Sequence, residues 1–135
     1  MARLIVNQGL QVIGQRASNI NGPPAQIQTM AVDNGTAATN SFLATHTALS
    51  NGGTSINSIA TQTFSATTSS AQTVQHFSLY GTAAANFQIG RVSLHNSATP
   101  TLSTASLIGG IDQQSLTKTT DFTLQIEVDI TYTSA

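Results

Sequence analysis

The chain has 135 residues, which corresponds to one domain, and it has no cysteine, which excludes disulfides and thiolate zinc sites. Only 7% of its residues are charged, against about 25% in ordinary globular proteins, and its four scattered basic residues exclude nucleic-acid binding by phosphate neutralisation. Because so little charge weakens protection against association, the composition predicts a protein that works inside a large assembly.

The first part of the chain is predicted to form an N-terminal arm or a short helix, residues 1–25, that stands apart from a strand-rich domain, residues 26–135. Val6, Leu10 and Ile13 fall at helical spacing. Two glycines inside this pattern would each cost a helix about 1 kcal/mol relative to alanine. A short helix docked on a neighbour is the first interpretation, and an extended arm is the second.

The next segment mixes strand and turn signals. Ile27 to Val32 is predicted to be a strand, closed by the turn signal at residues 33–35. Residues Phe42 to Leu49 are predicted to form one or two helical turns. Ile59 to Phe64 is predicted to be a strand, and residues Thr67 to Ala71 are predicted to be a small-residue loop.

Two later strands change their hydrophobic parity along their length. Thr73 to Tyr80 is predicted to be a strand with a phase change near His76, because its apolar residues occupy both parities. Phe87 to Leu94 shows the same change. One extra residue would restore a common face there, and Gly90 is the natural position for a β-bulge.

The C-terminal end carries the clearest pattern. Residues Phe122 to Tyr132 alternate apolar and polar without a break, which is typical of a strand with one buried face and one wet face. Thr104 to Ile111 is predicted to be a strand interrupted at Gly109 and Gly110, and residues Leu116 to Asp121 lead into the final strand. The whole pattern predicts an all-β fold, a single antiparallel β-sandwich or jelly roll.

Two sets of side chains invite a chemical reading. His46, His76 and His95 lack neighbours at metal-ligand spacing, and His76 and His95, which lie in or beside strands, are interpreted as imidazoles that satisfy local hydrogen bonds. Glu127 and Asp129 share one strand face at a spacing that carboxylate chemistry would tolerate. The favoured interpretation is a solvated or edge-protecting charge.

The chain shows no nucleophile-elbow pattern and no phosphate-binding loop. Tyr80, Phe77 and Phe87 could form no more than a small aromatic platform. We therefore predict no catalytic residue, no cofactor and no metal, and we do not expect an enzyme.

Lys118 is predicted to pair with Asp112 or Asp121 and to fix the loop before the final strand, because charged residues are so few. The apolar run Leu4 to Val6 is far too short for a signal-peptide core or a membrane span, so no membrane partner is predicted.

Several segments resemble, in their order, small virion proteins of tailed bacteriophages. The resemblance is carried by residues 7–13, 27–33, 35–38, 46–49, 87–95, 109–112 and 116–119 and by the closing alternating strand. It spans nearly the whole chain, and its motifs are made mostly of small and apolar residues. It carries over no catalytic residue.

Such proteins are capsid decoration or cement proteins, commonly trimeric jelly rolls, or tail and tail-tip components. The resemblance implies a virion protein, made in the host cytoplasm, that forms a homotrimer and binds the major capsid protein to bridge capsomers. A tail or adsorption component is the alternative, and an enzyme is a distant third. The residues predicted to contact the partner are those of the N-terminal segment: Arg3, Leu4, Ile5, Val6, Leu10, Ile13 and Arg16.

Overall fold

A computed structural model describes the backbone of most of the chain. The described residues are 3–18, 24–33, 43–48, 55–58, 61–68, 71–81, 87–101, 103, 105–112, 114 and 116–133. The strands are β1 (Arg3–Ile5), β2 (Thr29–Asp33), β3 (Ser55–Ser58), β4 (Thr61–Thr68), β5 (Ala71–Tyr80), β6 (Phe87–Ile89), β7 (Arg91–His95), β8 (Leu107–Ile111), β9 (Leu116–Lys118) and β10 (Leu124–Thr133), with one helix, α1 (Asn7–Ser18). The fold is therefore mostly β, as the sequence predicts.

The strands form three antiparallel sheets. The largest has the order β1-β8-β7-β2-β3, so its central strand β7 lies between β8, which follows it in the chain, and β2, which precedes it by about 60 residues. The second has the order β10-β5-β4, and the third is a two-stranded ribbon of β6 and β9. All five residues of β2 and all five residues of β7 are buried, so both faces of the large sheet are covered at these two strands.

The predicted alternation of the last strand is confirmed between Leu124 and Ile130. Val128 and Ile130 are buried while the intervening Glu127 and Asp129 are exposed. The pattern weakens at both ends, because Phe122 precedes the strand and Tyr132 is 39% exposed. Sequence periodicity thus identifies the buried face but overestimates its length.

The predicted phase change near His76 is wrong. β5 and β10 pair in continuous register over their full length. Along β5 the same parity stays inside, so that His76, Ser78 and Tyr80 are buried whereas Leu79 is 53% exposed. The prediction assumed that the apolar Leu79 faces the core. The neighbouring strands instead bury the opposite face of β5, which carries the polar His76 and Ser78.

Gly90 does not form a bulge within one strand; it separates two strands that belong to different sheets. β6 pairs with β9, whereas β7 pairs with β2 and β8. The N–H of Gly90 donates to the Asp33 carbonyl at 2.6 Å, and its carbonyl accepts from the Gln114 N–H at 2.8 Å. The parity change in the sequence therefore marks the passage of the chain from one sheet to another.

Three other local predictions need correction. Residues 43–48 form turns and bends rather than helical turns, and the rest of Phe42 to Leu49 lies outside the described residues. β8 is not interrupted at Gly109 and Gly110, since both pair with β1 and β7, although its register with β7 shifts between Leu107 and Gly109. The predicted loop Thr67 to Ala71 is shorter, because β4 continues to Thr68 and β5 begins at Ala71.

The hydrophobic core takes side chains from all three sheets. It is formed by side chains from β2, β5, β6, β7, β8 and β10 together with α1: Val12, Met30, Val32, Tyr80, Phe87, Ile89, Val92, Leu94, Ile108, Val128 and Ile130. Tyr80 of β5 links the second sheet to the large sheet, since its hydroxyl donates to the carbonyl of Met30 in β2 at 3.2 Å. Its ring packs edge to face against the Phe87 ring, with 5.9 Å between the ring centroids. Burial raises the pKa of Tyr80 to about 12, so this hydroxyl stays a donor.

The helix α1 confirms that the N-terminal segment contains a short helix, but this helix packs on β8 of its own chain, and its buried face differs from the predicted one. Gly9 and Val12 are buried, whereas Leu10 is 59% exposed. A Cβ on Gly9 would overlap the carbonyl of Ile108 in β8. The glycine that counts against a helix by propensity is what lets the helix lie directly on the sheet.

Candidate functional site

The strand β1 holds the first of the residues predicted to contact a partner. Leu4 and Ile5 are half-buried, and Val6 is fully buried against Leu107. The Val6 N–H donates to the Ile108 carbonyl at 3.1 Å. Val6 therefore packs inside its own chain, and it is not available to a partner in this structure. The side chain of Arg3 lies outside the described residues.

The helix places the other predicted contact residues in different environments. Ile13 packs against the core, whereas Leu10 points into solvent. Arg16 is exposed, and its Nη1 donates to the Pro24 carbonyl at 2.5 Å. The predicted set therefore does not form one continuous surface, and Leu10 and Arg16 remain its accessible members.

A groove of about 540 Å³ runs between the β1 edge of the large sheet and β10, and we call it the edge groove. Its lining combines residues of β1, β7, β8 and β10: Leu4, Ile5, Leu94, Gly109, Gly110, Ile111, Glu127, Val128, Asp129, Ile130 and Thr131. The two glycines leave room beside the apolar side chains. The groove can therefore accept apolar groups while it presents two carboxylates at its rim.

The carboxylates at this rim interact with each other and with an amide. Gln75 Nε2 donates to Glu127 Oε1 at 2.7 Å. A hydrogen bond with Asp129 raises the pKa of Glu127, the negative charge of Asp129 acts in the same direction, and the hydrogen bond from Gln75 opposes this shift. Both side chains are exposed, in agreement with the alternation of the strand. The rim is a concentrated negative charge on a surface that is otherwise poor in charge.

A buried ion pair that the sequence did not reveal joins β2 and β7. Asp33 and Arg91 lie directly opposite each other in the register. Arg91 Nε donates to Asp33 Oδ1 at 3.0 Å, and Nη2 donates to Oδ2 at 2.7 Å. Side-chain exposures of 2% and 4% place both ions out of water. Such a bidentate pair is the geometry that offsets the desolvation of two buried charges.

A buried imidazole, that of His95, lies at the other end of β7 from Arg91. His95 Nε2 lies 2.8 Å from Ser93 Oγ, and its Nδ1 lies 3.0 Å from Ser106 Oγ. Burial lowers the pKa of His95 to about 4, although the charge of Asp33 opposes this shift. The imidazole is therefore neutral near pH 7, with one nitrogen donating and the other accepting. This arrangement satisfies a buried histidine, as the sequence interpretation expects.

A second groove of about 430 Å³ lies beside α1. It is lined by Val12, Ile13, Arg16, Ala17, Gln26, Ile27, Val74, His76, Ile108 and Tyr132. His76 Nδ1 donates to the Val128 carbonyl at 3.2 Å, which fixes its tautomer. Burial lowers the pKa of His76, so this second imidazole is also held in its neutral form.

Lys118 is fully buried, but its contacts differ from the predicted ion pair. Its Nζ donates to the Thr119 carbonyl and lies 5.1 Å from the centre of the Phe122 ring. Among the described residues no salt bridge joins it to Asp112 or Asp121. Asp121 instead accepts a hydrogen bond from Thr119 Oγ1 at 3.4 Å. The loop before β10 is thus held by backbone and aromatic contacts.

The third histidine, His46, is half-buried, and its Nδ1 accepts a hydrogen bond from the Leu43 N–H at 3.3 Å. Within the described part of the chain, no group of three or more His, Asp or Glu side chains is arranged to hold a metal ion. In the same residues, no helix is long and apolar enough to cross a membrane.

No protein-family model, curated protein or solved structure matches this chain.

Proposed function

We propose that this chain is a structural subunit of a tailed-bacteriophage particle, a capsid decoration protein that binds the major capsid protein and bridges capsomers. We further propose that its sheets form a β-sandwich of the jelly-roll type and that it assembles as a homotrimer in the virion. The proposal rests on the resemblance of its motifs to small virion proteins and on one feature of the described surface.

That feature is where the few charges lie. Four of the nine charged residues are buried: Asp33, Arg91, Asp112 and Lys118. The described surface then carries Arg16 and three acidic residues as its ionised side chains. A free protein of this size would gain solubility from more surface charge, whereas a subunit covered by neighbours does not need it. This distribution supports a role inside an assembly.

The exposed face of β5 and β10 supports contacts between copies. Thr73 and Thr131 share a hydrogen bond between their hydroxyls at 3.0 Å, and the Gln75 amide bonds Glu127 at 2.7 Å. Leu79 is 53% exposed on the same face. Apart from the carboxylates of Glu127 and Asp129, this face presents hydroxyls, an amide and an apolar side chain, which can pack closely against another subunit.

A tail-associated module is the second candidate, and the edge groove favours it. An apolar groove with charged groups at its rim is a binding site rather than a packing surface. A component that touches a host protein or glycan would need such a site, and a cement protein would not.

The copy number of the chain in purified particles tests the proposal. Quantitative mass spectrometry of particles of the encoding phage should find hundreds of copies, and native mass spectrometry of the pure chain should find a trimer. A handful of copies would assign the chain to the tail. Absence from the particles would contradict both candidates.

Contact with the capsid protein can be tested at the exposed N-terminal residues. Leu10→Glu should reduce occupancy on isolated capsids, because it places a charge where an apolar contact is proposed. Gln11→Glu is the matched control, since Gln11 is the exposed neighbour in the same helix. Equal occupancy of both variants would remove Leu10 from the proposed contact.

A further inference from the structure

Two strand edges face the edge groove. In the described structure β1 pairs with β8 and not with another strand, and β10 pairs only with β5. Each of these strands therefore has one side whose backbone N–H and C=O groups are not used by a described strand. Such an edge is a template for an additional strand.

The strand β10 is the better template of the two. It contains ten residues, whereas β1 contains three. Its register with β5 is continuous, without a bulge, and it contains no proline. Natural sheets often blunt an edge with a bulge, a proline or charged side chains, and of these β10 has only the charges of Glu127 and Asp129. A long, regular edge is therefore retained beside an apolar groove.

The floor of the groove suits alternate side chains of an extended segment. Val128 and Ile130 face inward from β10, and Leu94 closes the bottom. Gly109 and Gly110 on the opposite wall add no side chains. A strand placed along β10 would direct every second side chain into this space, because side chains alternate between the faces of a sheet.

The rim selects the other half of the segment's side chains. Glu127 and Asp129 are exposed, and neither forms a salt bridge with a described residue. The exposed described cation, Arg16, is engaged with the Pro24 carbonyl. A segment with lysine or arginine at alternate positions would complement this charge. Two copies of β10 side by side would instead bring like carboxylates together, which disfavours self-pairing.

We propose that the edge groove binds an extended segment of another protein, with apolar residues at alternate positions and basic residues between them, which adds to the sheet as a strand beside β10. This mode of recognition takes affinity from backbone hydrogen bonds and specificity from alternate side-chain pockets. It rests on the groove, the free edge and the rim charges, and it does not depend on where in a particle the chain resides.

The first experiment compares three synthetic peptides by isothermal titration calorimetry with the intact chain. A peptide that alternates lysine and valine should bind. A peptide that alternates glutamate and valine should bind at least about tenfold more weakly, since the rim repels it. A third peptide has the same numbers of lysines and valines as the first but carries all its valines in one block, and it should also bind weakly. Equal binding of the alternating and blocked lysine peptides would overturn the proposal, because it would show charge attraction without strand addition.

The second experiment reverses the rim charge. The double variant Glu127→Lys and Asp129→Lys should prefer the glutamate peptide, and both positions are exposed, so the fold is retained. Asp121→Lys is the matched control, because Asp121 is also exposed but does not line the groove. An unchanged peptide preference in the double variant would place the binding elsewhere and overturn the proposal.

Amide hydrogen exchange identifies the strand that is covered. The peptide that alternates lysine and valine should slow hydrogen exchange at the backbone amides of β10 that point away from β5. Slowing at β4, the other edge of the same sheet, would overturn the proposal. Protection of β10 in the free chain, together with a dimer in solution, would assign the groove to a second copy and likewise overturn it.

Discussion

At the residue scale, the ion pair of Asp33 and Arg91 fixes how two central strands meet. A buried pair contributes little net stability compared with apolar residues, because the desolvation of both ions offsets their attraction. Its effect lies in register, since a slip of one residue would separate the two ions and leave both buried without a partner. The pair therefore specifies the alignment of β2 and β7.

Removing one ion should be far more damaging than removing both. Arg91→Leu should lower the free energy of unfolding by about 3–5 kcal/mol, because it removes the opposite charge that compensates the buried Asp33 carboxylate. The double variant with Asp33→Leu should recover most of that loss. Urea denaturation measures both, and Arg16→Leu at the exposed cation is the control. A double variant no better than the single one would refute this account.

The buried imidazole of His95 should make the protein sensitive to acid. Its pKa in the folded chain is about 4, below the ordinary value of 6.5, so between these values the unfolded chain binds a proton that the folded chain does not. Stability should be complete above about pH 6.5 and should fall by at most about 3 kcal/mol as the pH decreases toward 4. The lowered pKa of His76 acts in the same direction.

Substitution separates the two imidazoles. His95→Gln should flatten the dependence of unfolding free energy on pH between about 4 and 6.5, because the side chain no longer titrates while it keeps a donor and an acceptor. His76→Gln should remove a smaller part. Urea titrations at several pH values measure the slope, and an unchanged slope in both variants would show that other groups cause the acid sensitivity.

At the element scale, two glycines of α1 should respond in opposite ways to alanine. Gly9→Ala should cost about 1–3 kcal/mol, since its Cβ would overlap the Ile108 carbonyl and push the helix from the sheet. Gly14→Ala should add up to about 1 kcal/mol, because nothing lies within 4 Å of its Cβ and alanine favours a helix. Thermal unfolding measures both. Similar shifts in the two variants would contradict the proposed packing of α1.

The final strand offers a test of its two faces. Val128→Asp should prevent folding, because it places an unpaired charge in the core. Thr133→Asp on the same strand should change the free energy of unfolding by no more than about 0.5 kcal/mol, since that side chain is exposed. Circular dichroism and denaturation distinguish these results. A folded Val128→Asp protein would mean that β10 does not bury this face.

The sequence predicted the strands better than it predicted their partners. Alternation along β10 is a local property, so it was readable without any knowledge of the neighbours. The inner face of β5 was not, because His76 and Ser78 are buried by hydrogen bonds and packing from other strands. The parity change around Gly90 was visible, but the same signal arises from a bulge and from a change of sheet.

The candidate site was less predictable than the fold. The edge groove joins β1 to β10, residues from the two ends of the chain, and no local pattern shows that they meet. The exposure of Glu127 and Asp129 followed from alternation. The pairing of Asp33 with Arg91 did not, although each charge stands at the end of an apolar strand, because the register of the two strands had to be known.

At the scale of the whole molecule, the N-terminal segment contributes to the large sheet. β1 pairs with β8, and α1 covers Ile108 through Gly9. We therefore expect deletion of residues 2–18 to lower the melting temperature strongly or to cause aggregation, because it removes an edge strand and uncovers the core. A truncated chain that melts like the intact one would instead show that the segment is a separable arm.

The pairing of β1 with β8 also sets when the protein can fold during its synthesis. Arg3 pairs with Ile111, so the first strand leaves the ribosome long before its partner exists. The last strand, β10, must likewise be complete before β5 gains its second neighbour. Pairing between distant segments is slow, typically about milliseconds to seconds, because a large loop must close first. The nascent chain therefore carries an unpaired Leu4-Ile5-Val6 run until the residues of β8 have been made and can pair with it.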